Sequence, residues 1–293
     1  MRSINRENKR NTTLVACSNG LSVEKTLEIQ LLRDTLKKLG ICTKTSKYIF
    51  EKQQGISGTG KEKAENLMEF FCDKKIEDIF DISGGDLANE LLPYLDFEKI
   101  KDSKATFWGY SDLTTIINAI YTKTGKESVL YQIRNLIYDY GKKQKEEFSQ
   151  SFLYNKSDLF SVRGQFVQGE KMQGILVGGN IRCFLKLAGT EFFPDMKDKV
   201  LLLEARSGKV PQMITYLSHL KMLGVFEKIS GLVLGTFTQM EQEKCKPDMI
   251  KIVLDYVKES TPVFKTDQIG HGTDSKAVVI GREVLISRNL FLQ

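Results

Sequence analysis

The chain has 293 residues, 41% of them hydrophobic and 27% charged, which is typical of a folded globular protein. Its net charge is +6, but lysines and glutamates are interspersed, and the densest basic run, residues 142–145, is followed directly by Glu146 and Glu147. We therefore expect a solvated charged face and no nucleic-acid partner. A membrane partner is also not expected, because no apolar run approaches the roughly 18 residues of a membrane span.

The cysteine pattern argues against a disulfide framework and against a zinc site. The cysteines are odd in number and widely scattered, without a C-x-x-C pair. They are Cys17, Cys42, Cys72, Cys183 and Cys245. The charged and polar N-terminus has no features of a signal peptide, so we expect the cytoplasm as the location.

The first half of the chain alternates short apolar strands with amphipathic helices. Strands are predicted at 13–17, 41–48, 79–82 and 105–108, and helices at 27–39, 61–71 and from about residue 112. This alternation predicts a parallel sheet with helices on its faces. Ligands of such sheets bind beyond the carboxyl ends of the strands, where Ser18, Gly84 and Ser111 would share one edge.

The second half is predicted as a smaller mixed α/β domain. Apolar runs bounded by glycine lie at 174–179, 200–204, 231–235 and 277–281, and a helix is predicted around 213–223. From residue 125 to about 168 no firm period is visible. We therefore divide the chain into an N-terminal α/β domain (1–130), a connector (131–168) and a C-terminal α/β domain (169–293).

One serine lies where a predicted strand turns into a helix. In Trp108-Gly109-Tyr110-Ser111-Asp112, an apolar strand precedes Ser111 and helical spacing follows it. The geometry resembles a nucleophile elbow, which exposes a serine hydroxyl at a sheet edge, although the second glycine of G-x-S-x-G is absent. The alternative is that Ser111 is the N-cap of an ordinary helix.

A serine nucleophile needs a base, and the chain has two histidines. His219 flanks the apolar stripe of a helix and is predicted to be structural. His271 lies in a glycine-flanked loop, where an imidazole can project into a cleft. The third group would be a carboxylate: Glu204 ends an apolar strand, with a salt bridge to Arg206 as its alternative, and Asp274 is a rival acid.

An oxyanion hole would need two amide donors at the same edge. The amide of Asp112 is one candidate, and the amide of Gly84 or Gly85 is the other, because paired glycines let the backbone approach a ligand closely. The glycines could instead form a plain turn before a helix. A phosphate-binding P-loop is not expected, since the chain lacks G-x-x-x-x-G-K-[ST].

Several motifs in order resemble the LD-carboxypeptidase family of serine peptidases, which includes the microcin C immunity proteins. They are Ser83-Gly84-Gly85-Asp86, Asn89 to Asp96, Gly109 to Asp112, Gly178-Gly179-Asn180, Leu202-Leu203-Glu204 and Gly270-His271. The resemblance implies a flavodoxin- or Rossmann-like N-terminal sheet and a swivelling-β C-terminal domain. It also implies a triad of Ser111, Glu204 and His271, an oxyanion hole at Gly85 and Asp112, and an acyl-enzyme mechanism without metal or cofactor, in a homodimer.

Asp86 and Asn89 bring the chain closer to the immunity-protein branch, which cleaves an aminoacyl or peptidyl nucleotide. On that basis Gly84, Asp86 and Asn180 are predicted to bind substrate, and Arg206 or Lys276 could bind a substrate anion. The alternatives are a muramoyl-tetrapeptide L,D-carboxypeptidase of peptidoglycan recycling, a peptide- or nucleotide-binding protein without catalysis, and a general esterase.

Overall fold

The computed structural model describes residues 10–287 and 290–292. Its strands are β1 (Asn11–Val15), β2 (Cys42–Thr45), β3 (Asp78–Asp81), β4 (Thr106–Gly109), β5 (Ser128–Leu130), β6 (Gln165–Gln168), β7 (Lys171–Asn180), β8 (Lys199–Ala205), β9 (Gly231–Phe237), β10 (Val263–Lys265), β11 (Val278–Ile280), β12 (Glu283–Ser287) and β13 (Leu290–Leu292). Its α-helices are α1 (Thr26–Lys38), α2 (Gly60–Cys72), α3 (Phe97–Asp102), α4 (Thr114–Thr124), α5 (Gly141–Tyr154), α6 (Ile181–Leu185), α7 (Val210–Met222), α8 (Thr238–Gln242) and α9 (Met249–Leu254). Short 3-10 helices cover Val23–Lys25, Ala88–Tyr94, Ser111–Leu113 and Ile133–Ile137.

The first sheet has the strand order β11-β5-β4-β3-β1-β2. Strands β1 to β5 pair in parallel. The strand–helix alternation predicts this for β1 to β4, whereas β5 lies in the stretch without a firm period and was not predicted. The helices begin and end where local chemistry dictates: a capping box of Thr59 and Glu62 starts α2, and Gly40, with φ +84°, follows α1.

Strand β11 corrects one expectation. The apolar run 277–281 was expected in the C-terminal domain, but β11 pairs antiparallel with β5 at the edge of the first sheet. Hydrophobic pattern identifies a buried strand but carries no information on which of two sheets it joins. The chain therefore returns to the first sheet after the loop that carries His271.

The second sheet has the order β13-β12-β7-β8-β9-β10-β6. Its centre, β7 to β10, is parallel, whereas β6, β12 and β13 pair antiparallel at the edges. The two-sheet α/β architecture thus agrees with the sequence prediction. Among the described residues, the second sheet has seven strands and the first has six.

Part of the predicted connector forms helix α5, which covers the first sheet. It packs on the first sheet through Phe148 and Phe152, whose rings lie 6.2 Å from Phe80 and 5.7 Å from Trp108, respectively. Its buried side has helical spacing, but Gln144 and Ser151 occupy two of the buried positions. These polar residues interrupt the apolar period, which is why the sequence pattern does not predict the helix.

The two sheets share one hydrophobic core. Ile79 and Phe107 of the first sheet belong to the same buried cluster as Leu176 and Val200 of the second. Contact between the halves also includes the Asn118 side chain, which exchanges hydrogen bonds of 2.8 and 2.9 Å with the backbone of Gly178. This shared core fixes how residues from the two sheets meet. Within residues 10–287 and 290–292, no helix is long and apolar enough to cross a membrane.

Candidate active site

Ser111 occupies a strained bend between β4 and α4. Its φ of +59° is unusual for a residue with a side chain and is a feature of nucleophile elbows. The turn is tight enough that a Cβ on Gly109 would lie 2.7 Å from Cβ of Leu113. The first glycine of the motif is therefore required sterically, whereas the 3-10 turn at Ser111–Leu113 accommodates Leu113 at the position of the second.

The structure brings Ser111, His271 and Glu204 together from three distant segments. His271 Nε2 lies 3.0 Å from Ser111 Oγ, and His271 Nδ1 lies 2.7 Å from Glu204 Oε2. Glu204 is fully buried near the end of β8. The rival acid Asp274 is exposed and has no hydrogen bond to the imidazole among the described residues. This arrangement can transfer a proton from the hydroxyl to the imidazole.

Two further side chains support the acid and the base. Asn180 Nδ2 donates a hydrogen bond of 3.1 Å to Glu204 Oε1. The Tyr110 ring meets His271 edge-on at 5.1 Å, and burial, followed by the nearby charge of Glu204, raises the pKa of its hydroxyl well above the usual range. Tyr110 is thus neutral and acts as a wall of the site. In the sequence, this role is indicated by the position of Tyr110 directly before Ser111 in the elbow motif.

The amides of Gly85 and Asp112 are the predicted oxyanion donors. Neither N–H has a hydrogen-bond acceptor within the described part of the chain. Gly85 has φ +131°, and a Cβ there would lie 2.3 Å from the Asn19 side chain, so the position admits only glycine. Two free amides beside a serine hydroxyl form the type of site that stabilises a developing negative charge.

The side chain of Asp112 has a separate structural function. Its carboxylate is fully buried and accepts hydrogen bonds from Ser18 Oγ (2.7 Å) and the Ala88 amide (2.9 Å). Lys186 Nζ lies 2.5 Å from its other oxygen. Asp112 therefore ties the elbow to the segment that follows Gly84 and Gly85. This explains why an aspartate stands at that place in the motif.

A cavity of about 770 Å³ opens at this edge of the first sheet. Ser111, His271, Gly84 and Gly85 line it. Among the described residues, the cations in its lining are Lys25, Arg134, Arg206 and Lys276, and no aspartate or glutamate is part of the lining. Arg134 pairs with Glu28 and Lys276 pairs with Glu147, so the charge that favours an anionic ligand comes from Lys25 and Arg206.

The two proposed anion-binding residues differ in their environment. Lys276 Nζ is held by Glu147 Oε1 at 2.6 Å and by the Asp158 carbonyl at 2.7 Å. Arg206 is exposed to the cavity, and its guanidinium has no ion pair with any described carboxylate. Of the two, Arg206 is the residue whose charge is available to a ligand.

Asp86 and Asn180 are not among the residues that line the cavity. Asn180 lies beneath Glu204, and Asp86 pairs with Arg182, whose hydrogen bond lowers the pKa of the Asp86 carboxyl. The sequence pattern does not predict that Arg182 and Lys186 contact the segment of Gly85 and Asp86. Each is an isolated cation in the sequence, without a motif that would mark it.

Family models describe both halves of the chain. The LD-carboxypeptidase N-terminal domain matches residues 13–131, and the LD-carboxypeptidase C-terminal domain matches residues 173–286. The chain belongs to the LD-carboxypeptidase family. Ser111 lies in the segment matched by the N-terminal model, and Glu204 and His271 lie in the segment matched by the C-terminal model.

Relatives from both branches of the LD-carboxypeptidases are similar to this chain. A probable murein peptide carboxypeptidase of Bacillus subtilis (strain 168) is 27% identical over 264 residues, which covers 86% of this chain and 82% of the relative. The microcin C7 self-immunity protein MccF of Escherichia coli is 27% identical over 211 residues, which covers 61% of each chain. Identity therefore does not separate the two branches.

A solved structure of MccF in complex with aspartyl sulfamoyl adenosine has the same fold. Its TM-score is 0.83 at 20% identity, and the match covers 95% of this chain and 93% of that one. The two-sheet architecture of this LD-carboxypeptidase family member is thus shared over nearly its whole length.

Proposed function

We propose that the protein is a serine peptidase that hydrolyses a small anionic peptide-like substrate through an acyl-enzyme on Ser111. The observation that carries this proposal is the hydrogen-bonded series from Ser111 Oγ through His271 to the buried Glu204. Family membership supports it, because the LD-carboxypeptidase models match both segments that supply these residues.

In the proposed reaction, Ser111 Oγ attacks the acyl carbon while His271 Nε2 takes its proton. The amides of Gly85 and Asp112 hold the oxyanion of the tetrahedral intermediate. His271 then gives the proton to the leaving nitrogen, the C–N bond breaks, and the acyl-enzyme remains. Water attacks this ester and gives a proton to His271. The bond between the acyl carbon and Ser111 Oγ then breaks, His271 returns the proton to Oγ, and the acid product is released.

For the substrate, we propose an aminoacyl or peptidyl nucleotide. The cavity has room beyond the reacting groups, where Arg134, Asn135 and Tyr138 form part of its wall. An aromatic ring and polar side chains suit a nucleobase and ribose, and the unpaired Arg206 suits an anionic group. MccF, which shares the fold, has been solved with a ligand of this kind.

A muropeptide with a free carboxylate is the second candidate. It is favoured by the murein peptide carboxypeptidase of Bacillus subtilis, which matches 86% of this chain, compared with 61% for MccF. The same cationic walls would serve a peptide carboxylate.

Product analysis by mass spectrometry separates these candidates. The protein is incubated separately with aspartyl sulfamoyl adenosine and with an L,D-tetrapeptide, with the Ser111→Ala variant as the control. Release of aspartate would support the nucleotide substrate, and release of the terminal amino acid would support the muropeptide. Binding of either compound without release, equal in the wild type and in Ser111→Ala, would contradict the proposed catalysis and favour a binding protein.

A further inference from the structure

A short segment of the second half contacts several parts of the proposed catalytic machinery. Asn180 ends β7, supports Glu204 and caps α6 by accepting a hydrogen bond from the Cys183 amide at 3.3 Å. Two cations follow within this segment, Arg182 in α6 and Lys186 directly after it. Both reach across to residues 84–86 of the first half, which we call the glycine loop.

Arg182 fixes the peptide group that follows the proposed oxyanion donor. Its Nη2 donates to the Gly85 carbonyl at 2.9 Å, and its Nη1 pairs with the Asp86 carboxylate. The N–H of the same Gly85–Asp86 peptide donates to Asn19 Oδ1 at 2.9 Å. Both polar groups of this peptide are therefore held, and the Gly85 N–H lies next to it in the chain.

Lys186 bridges the backbone next to Gly85 and the side chain of Asp112. Its ammonium donates to the Asp86 carbonyl at 2.8 Å and to Asp112 Oδ1 at 2.5 Å. Asp112 Oδ2 in turn accepts from the Ala88 amide. One cation thus links the glycine loop to the residue that supplies the second donor.

We propose that Arg182 and Lys186 are positioning residues that hold the Gly85 and Asp112 amides in the geometry needed to bind an oxyanion. The inference rests on the proposed function. A donor contributes to catalysis when its position is fixed before charge develops. Glycine has wide backbone freedom, so Gly85 needs outside contacts to keep one orientation.

The Arg182–Asp86 pair is exposed, so its loss should change the stability of the fold little. A change in labelling rate can then be attributed to positioning. The side chains are 39% and 63% exposed, and exposed pairs contribute little to folding. Arg182→Ala removes both the pair and the bond to the Gly85 carbonyl, whereas Asp86→Ala removes the pair alone. If Arg182 positions the loop, the two variants differ in rate. If it serves only in an ion pair, they are equal.

The test is the second-order rate at which a fluorophosphonate labels the protein. The Ser111 Oγ–P bond forms, fluoride leaves, the proton passes to His271, and the phosphoryl oxygen occupies the oxyanion site. We expect Arg182→Ala to label about 10- to 100-fold more slowly and Asp86→Ala less than about 3-fold more slowly. The pH midpoint of labelling should stay that of the wild type, because the contacts between Glu204 and His271 are intact.

Arg282→Ala is the matched control. Arg282 pairs with Glu127 across the two halves, with side chains 40% and 42% exposed. Among the described residues, neither side chain forms a hydrogen bond or ion pair with the glycine loop. The Arg282→Ala variant should label at the wild-type rate. Lys186 is tested as Lys186→Arg, because Lys186→Ala would leave the buried Asp112 without a charge partner and could unfold the protein. Lys186→Arg keeps a charge there and should label at an intermediate rate.

Equal rates for Arg182→Ala and Asp86→Ala, or a wild-type rate for Arg182→Ala, would overturn this inference and leave the proposed function standing. A wild-type protein that is not labelled at all would refute the proposed function and this inference with it.

Discussion

The Glu204 carboxylate binds the His271 imidazole from a fully buried position, with 2.7 Å between Oε2 and Nδ1. Its other oxygen accepts a hydrogen bond from Asn180 Nδ2. A carboxylate held in this way accepts a hydrogen bond from the Nδ1–H group of His271, which leaves Nε2 unprotonated and able to take a proton from Ser111. The geometry therefore sets the tautomer of the base.

Replacing Glu204 by Gln should abolish this tautomer control. Asn180 Nδ2 must still donate to an oxygen, so the new amide nitrogen faces His271 Nδ1 and forces the imidazole proton onto Nε2. We expect kcat to fall about 10³- to 10⁴-fold. Steady-state kinetics and circular dichroism measure activity and fold, with Glu243→Gln, at an exposed site, as the control. Retained activity would show that Glu204 does not orient the base.

Gly85→Ala should reduce activity through the backbone, and Gly84→Ala is its matched control. A Cβ at Gly85 would lie 2.3 Å from Asn19 in a conformation with φ +131°, whereas a Cβ at Gly84 meets nothing within 4 Å. We expect Gly85→Ala to lower kcat by about 10²-fold or more, and Gly84→Ala to keep wild-type thermal stability. Equal effects on kcat and stability in both variants would contradict the assignment of Gly85.

The sequence predicted the elements that carry the proposed chemistry because each has a local signal. Ser111 follows a strand and precedes a helix, His271 lies between glycines, and Glu204 ends an apolar run. The parallel pairing of β1 to β4 followed from strand–helix alternation.

The remaining features depend on contacts that are distant in the chain. Helix α5 was missed because Gln144 is buried, where its Nε2 donates to the Ser275 carbonyl at 3.2 Å. The role of Arg182 depends on a carbonyl 97 positions away. No local pattern marks such a pair, so the sequence alone could not predict it.

Arg206→Ala should weaken binding of an anionic substrate. Its guanidinium is unpaired among the described residues and faces the cavity. A charged hydrogen bond is worth about 1.5–3 kcal/mol, which corresponds to a rise in KM of roughly 10- to 100-fold at unchanged kcat. Arg33→Ala, on the exposed face of α1, controls for net charge. An unchanged KM would exclude Arg206 as the anion-binding residue.

The buried Asp78 should make stability depend on pH. Burial raises the pKa of Asp78 to about 6, although Arg10 opposes the shift. Between about pH 4 and 6 the folded protein then binds more protons here than the unfolded chain, so stability falls as pH rises through this range. We expect this dependence, on the order of 3 kcal/mol, to disappear in Asp78→Asn.

Urea unfolding at a series of pH values measures this difference. Asp73→Asn is the control of opposite sign, because a hydrogen bond from Lys44 lowers the pKa of Asp73. If the free energy of unfolding changed with pH equally in Asp78→Asn and in the wild type, Asp78 would be ionised in the folded protein throughout this range.

Peptide mapping after reaction with a fluorophosphonate tests the central claim most directly. The account predicts one adduct, on Ser111, that is absent in Ser111→Ala and formed far more slowly in His271→Ala. Ser18 and Ser83, which lie buried near the same sheet edge, should remain unmodified. A wild-type protein without an adduct, or with the adduct on another serine, would contradict the assignment of Ser111 as the nucleophile.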